Sequence, residues 1–430
     1  MTLDFAQSFS VKDIFSTFFV CSSHSEDVLL HRFMGKHKYY ILLLWLLLAL
    51  SAMGQEVKTS LMIAEPTHQQ VQSSFGHAFL RLQYPAAALD YCFSMESGDY
   101  EGFLDICTGH YPNRLVAVPT AEYLQSYDHE GRTVTEYMLN LNQGEAKRLW
   151  KFLDNTSAQG VSPYHDYFHH GCSQEILHYL TLNLDGDLVY GEAVKQYGNT
   201  IFLIGNQTLP ANSWVHLTSL LFSTDGTDRQ LTDAEKTLIP HIIPTLLSDA
   251  VIKGLDGTCR PILRDEVPVI YPPSRHFAPN TAPPVYVWFL LALGLVLLIS
   301  LLDVCCSVAP VRALGRFLDV SLFILYQVIV LGMLLISILS TLPTTSGWNW
   351  NYLIYNPLPL VIWLYDLWRP LSARMRANLY IYYALWLTAF MVAMFVIGDH
   401  FLIEQYLLAL MFNVRCLFKA YKYRHSISNV

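Results

Sequence analysis

Cys172 stands where the sequence predicts the first turn of a helix. Downstream of it, Ile176, Leu177 and Leu180 recur at the spacing of one helix face, whereas the preceding residues show no such stripe. The unpaired backbone N–H groups and the dipole at a helix start lower the pKa of a thiol and offer hydrogen bonds to an oxyanion. Cys172 is therefore a candidate nucleophile; the alternative is a small buried residue of a core helix.

His77 is the candidate base for this nucleophile. It follows Gly76 at the start of a short predicted strand, residues 77–82, from which an imidazole can project into a cleft. A neutral imidazole within hydrogen-bond reach would take the proton of the Cys172 thiol. A histidine that is only structural is the alternative. Together the two positions predict a Cys/His pair for nucleophilic catalysis.

Three aspartates could orient His77, namely Asp90, Asp99 and Asp105. Asp90 is favoured because it lies in the next predicted strand, although each of the three could instead be a solvated turn residue. The sequence alone does not choose among them.

A cluster of histidines also surrounds Cys172, at His165, His169, His170 and His178. The spacing of His165 and His169 resembles that of zinc ligands, but the local pattern is not clearly helical and no second cysteine or acid completes a ligand set. We therefore expect neither a metal nor another cofactor.

The composition divides the chain into a soluble part and a membrane part. Of its 430 residues, 53% are hydrophobic and 14% are charged, which is too apolar for an ordinary soluble protein and too interrupted for a purely membranous one. The net charge of -8 is carried mainly before residue 284. Nothing suggests a surface for nucleic acid.

The first 54 residues are predicted to precede the mature protein. Residues 1–33 show no periodicity and end before a second methionine, so we interpret them as a non-native extension. Residues 34–54 combine a basic start, an apolar run and small residues, the pattern of a secretory signal with cleavage before Gln55. An uncleaved anchor would give the same topology, because the next segment is exported in either case.

Residues 55–270 are predicted to form an exported α+β domain. Its strand candidates are residues 61–63, 77–82, 89–93, 114–118 and 133–141. Asn142 introduces a helix, Cys172 opens another, and residues 231–247 have helical spacing. In an exported domain one disulfide among Cys92, Cys107 and Cys259 is plausible. A proline-rich linker, residues 271–284, ends the domain.

Residues 285–418 are predicted to be an α-helical transmembrane bundle of about five helices, followed by a tail at 419–430. The apolar stretches are residues 285–302, 318–339, 353–367, 379–397 and 401–417. Lys and Arg follow the first, third and fifth stretches but are missing from the loops 340–352 and 398–400. The positive-inside rule therefore places the N-terminal domain outside and the C-terminus in the cytoplasm.

The outer loop, residues 346–359, is rich in Trp and Asn at the expected depth of the lipid headgroups. Trp at this depth usually anchors a protein at the interface. Asn351 and Asn356 could also bind a headgroup or a carbonyl of the substrate.

Two motifs give the chain a resemblance to a known family. Phe-Gly-His-x-x-x-Arg at residues 75–81 and Asp-Tyr-Phe-x-x-x-Cys-Ser at residues 166–173, with the exported domain and the Asn-rich outer loop, resemble the Lnb lipoprotein N-acyltransferases of Bacteroidota. The resemblance covers about residues 55–415. The family commonly has Asn before the cysteine, where this chain has Gly171. The order of His before Cys also resembles permuted papain/NlpC-like folds, by analogy only.

The resemblance implies a multi-pass enzyme of the inner membrane that acylates the α-amine of the lipidated N-terminal cysteine of lipoproteins. Its partners would be membrane phospholipid, as acyl donor, and lipidated protein N-termini. Cys172 and His77 would be catalytic, with Arg81 of the first motif, Asn351 and Asn356 as substrate-binding candidates. The alternatives are an exported, membrane-anchored cysteine hydrolase of peptidoglycan or lipid esters, and a non-catalytic membrane scaffold.

Overall fold

The fold is described from a computed structural model. The structure describes residues 56–67, 72–97, 105, 109, 112–160, 170–209, 213–274, 283–306, 308–397 and 401–428. The predicted extension and signal segment, together with Asp99, Cys107, His165 and His169, lie outside the described residues. Residues Val57–Val430 form one compact unit.

Two antiparallel sheets form the strand structure of the described residues. The strands are β1 (Lys58–Ala64), β2 (His77–Tyr84), β3 (Leu89–Ser97), β4 (Asn113–Pro119), β5 (Val134–Met138), β6 (Gly186–Val189), β7 (Val251–Gly254), β8 (Cys259–Pro261) and β9 (Val269–Tyr271). The large sheet has the order β4-β3-β2-β1-β5-β9, and the small sheet has the order β6-β7-β8. All five strands predicted from the sequence are therefore confirmed.

Helices cover both faces of the large sheet. Side chains of a strand alternate between its faces, so Leu80 of β2 joins the core that contains Ile176, while Phe79 packs on the opposite side against Tyr127, with ring centroids 5.6 Å apart. The helices of this domain are α1 (Thr120–His129), α2 (Gln143–Gln159), α3 (Cys172–Thr181), α4 (Ile201–Thr208), α5 (Trp214–Phe222) and α6 (Ile243–Leu247).

The sequence signals at the helix starts are confirmed. Asn142 caps α2: its side chain accepts a hydrogen bond from the N–H of Glu145 at 2.9 Å, and the Glu145 carboxylate accepts one from the N–H of Asn142 at 2.8 Å. Residues 231–247 are the exception. They form short helical turns before α6 instead of one helix, because Pro240 and Pro244 cannot donate backbone hydrogen bonds.

Five helices occupy the five predicted apolar stretches. They are α7 (Val285–Cys305), α8 (Ala309–Leu339), α9 (Leu358–Trp368), α10 (Ala373–Ile397) and α11 (Ile403–Ser428). Within the described residues, α7, α8 and most of α10 are long and apolar enough to cross a membrane. Helix α9 has only 11 residues, and α11 continues through the predicted tail to Ser428.

The predicted disulfide is wrong. Cys92 and Cys259 are both free, so none of the three pairings considered among Cys92, Cys107 and Cys259 is present. Cys92 is buried in the sheet beside Thr120, whereas Cys259 is exposed on the small sheet, and the two thiols belong to different layers of the domain.

Candidate active site

Cys172 is the first residue of α3, as the sequence predicts. Gly171 precedes it with an extended backbone (φ −73°, ψ 164°), and the carbonyl of Gly171 accepts the first helical hydrogen bond from the N–H of Glu175 at 3.1 Å. The side chains of Ile176 and Leu180 are buried in the domain core and fix the helix on the sheet. The thiol therefore lies at the end of a helix where negative charge is favoured.

His77 is the first residue of β2, and Gly76 sets its position. Gly76 has φ +83°, a left-handed conformation that favours glycine. A Cβ at this position would lie 2.8 Å from the carbonyl oxygen of Ala64, the residue that pairs with His77 across the strands. The glycine is therefore required both by its conformation and by the close approach of β1.

Cys172 and His77 are neighbours, and each shifts the pKa of the other. Burial raises the pKa of the Cys172 thiol, but the charge and hydrogen bond of His77 and the N–H of Ala78 outweigh burial and bring that pKa below its ordinary value. Burial likewise disfavours the imidazolium, but the charge and hydrogen bond of Cys172, with the charge of Glu96, raise the pKa of His77 above its ordinary value. These opposite shifts favour a thiolate and imidazolium pair, the reactive form of a cysteine nucleophile.

A polar chain on β3 and α1 orients the imidazole. His77 Nε2 lies 2.7 Å from Ser94 Oγ, and Ser94 donates to Glu96 Oε1 at 2.9 Å. Because the Ser94 proton is used for Glu96, Ser94 accepts from the Nε2–H of His77, which leaves Nδ1 for proton exchange with Cys172. Tyr123 also donates to Glu96, and burial raises the pKa of this phenol well above its ordinary value.

Asp90, the residue favoured for orienting His77, has a different place in the structure, and this prediction is corrected. Its carboxylate accepts two hydrogen bonds from Arg81, at 2.9 and 2.7 Å, and one from Thr120 at 2.5 Å. Glu96 instead has an oxygen 3.7 Å from His77 Nε2. Asp90 lies at the other end of β3, beside Arg81 rather than beside His77 and Cys172.

Arg81, a substrate-binding candidate, is occupied by contacts within the sheet. Besides Asp90, it donates to Glu136 at 2.9 Å and to the hydroxyl of Tyr271 at 2.9 Å. Glu136 is buried, and it also accepts a hydrogen bond from Ser60 of β1. These bonds tie β2 to β3, β5 and β9, so the contacts of Arg81 indicate a role in assembling the sheet.

Hydrogen bonds from two sides hold the start of α3, and the sequence did not predict these contacts. On one side, Ser173 donates to the carbonyl of Leu238 at 3.3 Å and Gln174 donates to that of Glu235 at 3.2 Å. On the other side, the buried Asn113 of β4 donates to the carbonyl of His170 at 3.3 Å. The polar residues of the Cys-Ser motif therefore position the nucleophile.

Asn351 and Asn356, the other substrate-binding candidates, contact the protein itself. Asn351 is buried, donates to the carbonyl of Leu220 at 3.0 Å and accepts from Gln405 at 2.6 Å. The last carbonyls of a helix have no partner within it, so this amide satisfies one at the end of α5. Asn356 accepts from the N–H of Leu358 at 3.1 Å, near the start of α9.

The loop that carries these asparagines joins the N-terminal domain to the helical region. The N–H of Thr224 donates to Thr344 at 2.9 Å, and the N–H of Asp225 donates to Trp348 at 2.8 Å. A Cβ on Gly226 would lie 2.0 Å from the carbonyl oxygen of Pro343, so the two segments are in close contact. The N-terminal domain is thus fixed at one end of the helices.

Among the residues that the structure describes, no group of three or more His, Cys, Asp or Glu side chains could hold a metal ion. His170, one of the histidines near the cysteine, instead has its Nδ1 2.8 Å from a carboxylate oxygen of Glu175.

Two family models match the sequence. The model of the Lnb N-terminal periplasmic domain matches residues 51–200, and the model of the Lnb transmembrane domain matches residues 276–426. Cys172 and His77 fall within the first match, and the five C-terminal helices α7 to α11 begin within the second. No curated protein and no solved structure matches the chain.

Proposed function

The chain belongs to the Lnb family, and we propose that it is a lipoprotein N-acyltransferase that moves an acyl chain from phospholipid to the α-amine of lipidated N-terminal cysteines. The observation that carries this proposal is the position of Cys172 at the start of α3, next to His77, which lowers the pKa of the thiol. A thiolate is the nucleophile suited to an ester carbonyl, and a thioester is readily attacked by an amine.

In the first half-reaction, the Cys172 thiolate bonds to the carbonyl carbon of a phospholipid ester. The negative charge moves to the carbonyl oxygen, where the backbone N–H of Cys172 at the helix start is the candidate donor. The intermediate then collapses, the C–O ester bond breaks, and His77 gives its proton to the departing lysophospholipid oxygen. The products are an acyl thioester on Cys172 and a neutral imidazole.

In the second half-reaction, the α-amine of the lipoprotein attacks the thioester carbon. His77 accepts the proton that the amine loses, and Ser94 with Glu96 keeps the imidazole oriented and stabilises its positive charge. The C–S bond then breaks, and the thiolate and imidazolium pair is restored. Acyl transfer therefore needs no group other than those of this site and the two substrates.

The setting of the site supports a lipid donor. The periplasmic domain is bound to the loop between α8 and α9 through Thr224 and Asp225. This places the thiol-bearing domain at the end of the helices that faces the outer leaflet in our proposal, where ester donors diffuse in two dimensions.

We further propose that the protein lies in the inner membrane with its C-terminus in the cytoplasm. Arg312, Arg374 and Lys419 follow alternate apolar stretches, whereas the described part of the opposite loops has no Lys or Arg. Cationic loops remain on the cytoplasmic side of a membrane. The periplasmic position of the N-terminal domain agrees with this orientation.

The test is mass spectrometry of lipoprotein N-terminal peptides from cells that carry the wild type, Cys172→Ala, Cys172→Ser or Cys259→Ala. Cys259 is free and exposed on the small sheet, so its replacement is the matched control. We expect N-acylation to disappear in both Cys172 variants and to persist in the control. Full acylation with Cys172→Ala, at normal levels of inserted protein, would refute the proposal. Release of free fatty acid without N-acylation would favour a hydrolase.

A further inference from the structure

A cavity between α8, α9, α10 and α11 lies in the half of the helical region farther from the periplasmic domain. Its volume is about 240 Å³. We propose that it binds an anionic phospholipid of the membrane leaflet farther from the active site, with the phosphate beside Arg376 and an acyl chain in the aromatic part of the cavity. This site is separate from acyl transfer, because the proposed donor occupies the other leaflet.

The inner part of the cavity is apolar. Its walls include Phe323 and Trp363, whose ring centroids are 5.6 Å apart across α8 and α9, together with Leu379 and Phe412. Two tyrosines, Tyr326 and Tyr383, form its deep end. Their hydroxyl groups are hydrogen-bonded to each other, and that of Tyr326 donates to the carbonyl of Ile354 at 2.9 Å. The two tyrosine hydroxyl groups therefore already have hydrogen-bond partners. The remaining surface at this end of the cavity is apolar and suits a hydrocarbon chain.

Helix α9 closes this cavity with few buried contacts of its own. None of the side chains from Leu358 to Trp368 is buried, although the helix is apolar throughout most of its length. Lipid tails are as apolar as leucine side chains. A lipid acyl chain from the membrane therefore suits the apolar part of the cavity behind α9.

The outer part of the cavity is charged, and cations exceed carboxylates. Among the described residues that line the cavity, Arg376, Arg415 and Lys419 form ion pairs with two carboxylates, Asp319 and Asp366. This cluster has one positive charge more than it has negative charges, and a phosphate would balance it. Basic pockets between membrane helices are typical binding sites for lipid headgroups.

Arg376 provides the specific donor. Its Nη2 is 3.0 Å from Asp366, but its Nε is buried without a hydrogen-bond partner among the described residues. A buried N–H without a partner is unfavourable, and a phosphate oxygen is a suitable acceptor for a guanidinium. Arg376 and Tyr383 are seven residues apart on α10, about 10 Å along the helix axis, so phosphate and acyl chain can both be accommodated.

The experiment uses the full chain in nanodiscs of mixed phosphatidylglycerol and phosphatidylcholine, followed by native mass spectrometry of the released protein. We expect a bound phosphatidylglycerol in preference to phosphatidylcholine. Arg376→Gln should lower its occupancy about tenfold, the effect of losing a hydrogen bond to a charged group. Arg376→Lys, which keeps the charge but loses the Nε donor, should have a smaller effect.

Arg374→Gln is the matched control, because Arg374 lies in the same turn of α10 but is exposed and does not line the cavity. Unchanged Cys172 alkylation in the three arginine variants shows that the periplasmic domain is intact. The separate variant Cys172→Ala should retain the lipid. Equal occupancy in Arg376→Gln and Arg374→Gln, or no preference for the anionic lipid, would overturn the proposal without affecting the proposed acyl transfer.

Discussion

The Nε2 atom of His77 lies 2.7 Å from the Oγ atom of Ser94. Through this hydroxyl the imidazole is connected to the carboxylate of Glu96, which also accepts a hydrogen bond from Tyr123. The candidate site is thus a nucleophile, a base and an acid linked by a serine. The serine and the carboxylate both come from β3, the strand next to the one that carries His77.

Glu96→Gln should lower the rate of N-acylation by about tenfold or more. This loss is a part of the rate enhancement that general acid–base catalysis by a histidine provides. Burial lowers the pKa of His77, and Glu96 is one of the groups that offset burial and raise it. Without this charge the imidazolium loses its proton at lower pH, so the alkaline limb of the pH–rate profile should move to lower pH. An unchanged profile in this variant would show that Glu96 does not act through His77.

Cys172 should react with iodoacetamide much faster than Cys92 at neutral pH. Burial raises the pKa of Cys92 to about 12, whereas His77 holds the pKa of Cys172 below its ordinary value. The alkylation rate of Cys172 should therefore reach its midpoint at a lower pH than that of a free thiol. His77→Ala should move this midpoint upward because the cation and its hydrogen bond are lost. The measurement is peptide mass spectrometry after timed alkylation at several pH values.

Gly76→Ala should disturb the site, whereas Gly160→Ala should not. Both glycines have positive φ, +83° and +62°, and alanine in this conformation costs about 1–2 kcal/mol. The added Cβ at Gly76 would also meet the carbonyl of Ala64, whereas nothing lies within 4 Å of a Cβ at Gly160. Thermal unfolding should show a larger loss for Gly76→Ala, accompanied by slower alkylation of Cys172. Equal losses and equal alkylation rates would contradict the positioning role.

Asn351→Ala should destabilise the full chain rather than weaken substrate binding. The substitution leaves the carbonyl of Leu220 and the amide of Gln405 without this partner, at a cost of about 1–3 kcal/mol for each buried group left unsatisfied. We expect a lower midpoint of thermal unfolding in detergent and an unchanged KM for the acyl donor. A raised KM with unchanged stability would restore Asn351 as a substrate-binding residue.

Gly171→Asn tests the position at which the sequence departs from its family. Gly171 has φ −73° and ψ 164°, which any residue adopts, so no backbone strain opposes the substitution. Asn at the N-cap can accept a hydrogen bond within the first turn and should stabilise the protein by a few tenths of a kcal/mol. We expect retained N-acylation together with this small gain, measured by chemical denaturation. Loss of activity would show that glycine is needed here.

The sequence by itself determined the local features of this protein. Apolar periodicity over a few residues identified the five strands and the start of α3, and the Gly before His77 marked the start of β2. The composition separated the periplasmic domain from the helical region. These features depend on residues that are close in the chain, and the structure agrees with each of them.

The tertiary structure alone decided which acid and which amides serve the site. The side chains of Asp90 and Glu96 lie on the same face of the sheet as that of His77. The register between β2 and β3 therefore decides which of the two carboxylates lies next to His77. The observed pairing of Arg81 with Cys92, continued along the strands, brings Glu96 opposite His77 and leaves Asp90 near Arg81. The role of Asn351 was decided in the same way, because its amide has a partner in the protein only when α5 packs on the loop. Pairing between distant segments sets such contacts, and no local pattern in the chain records it.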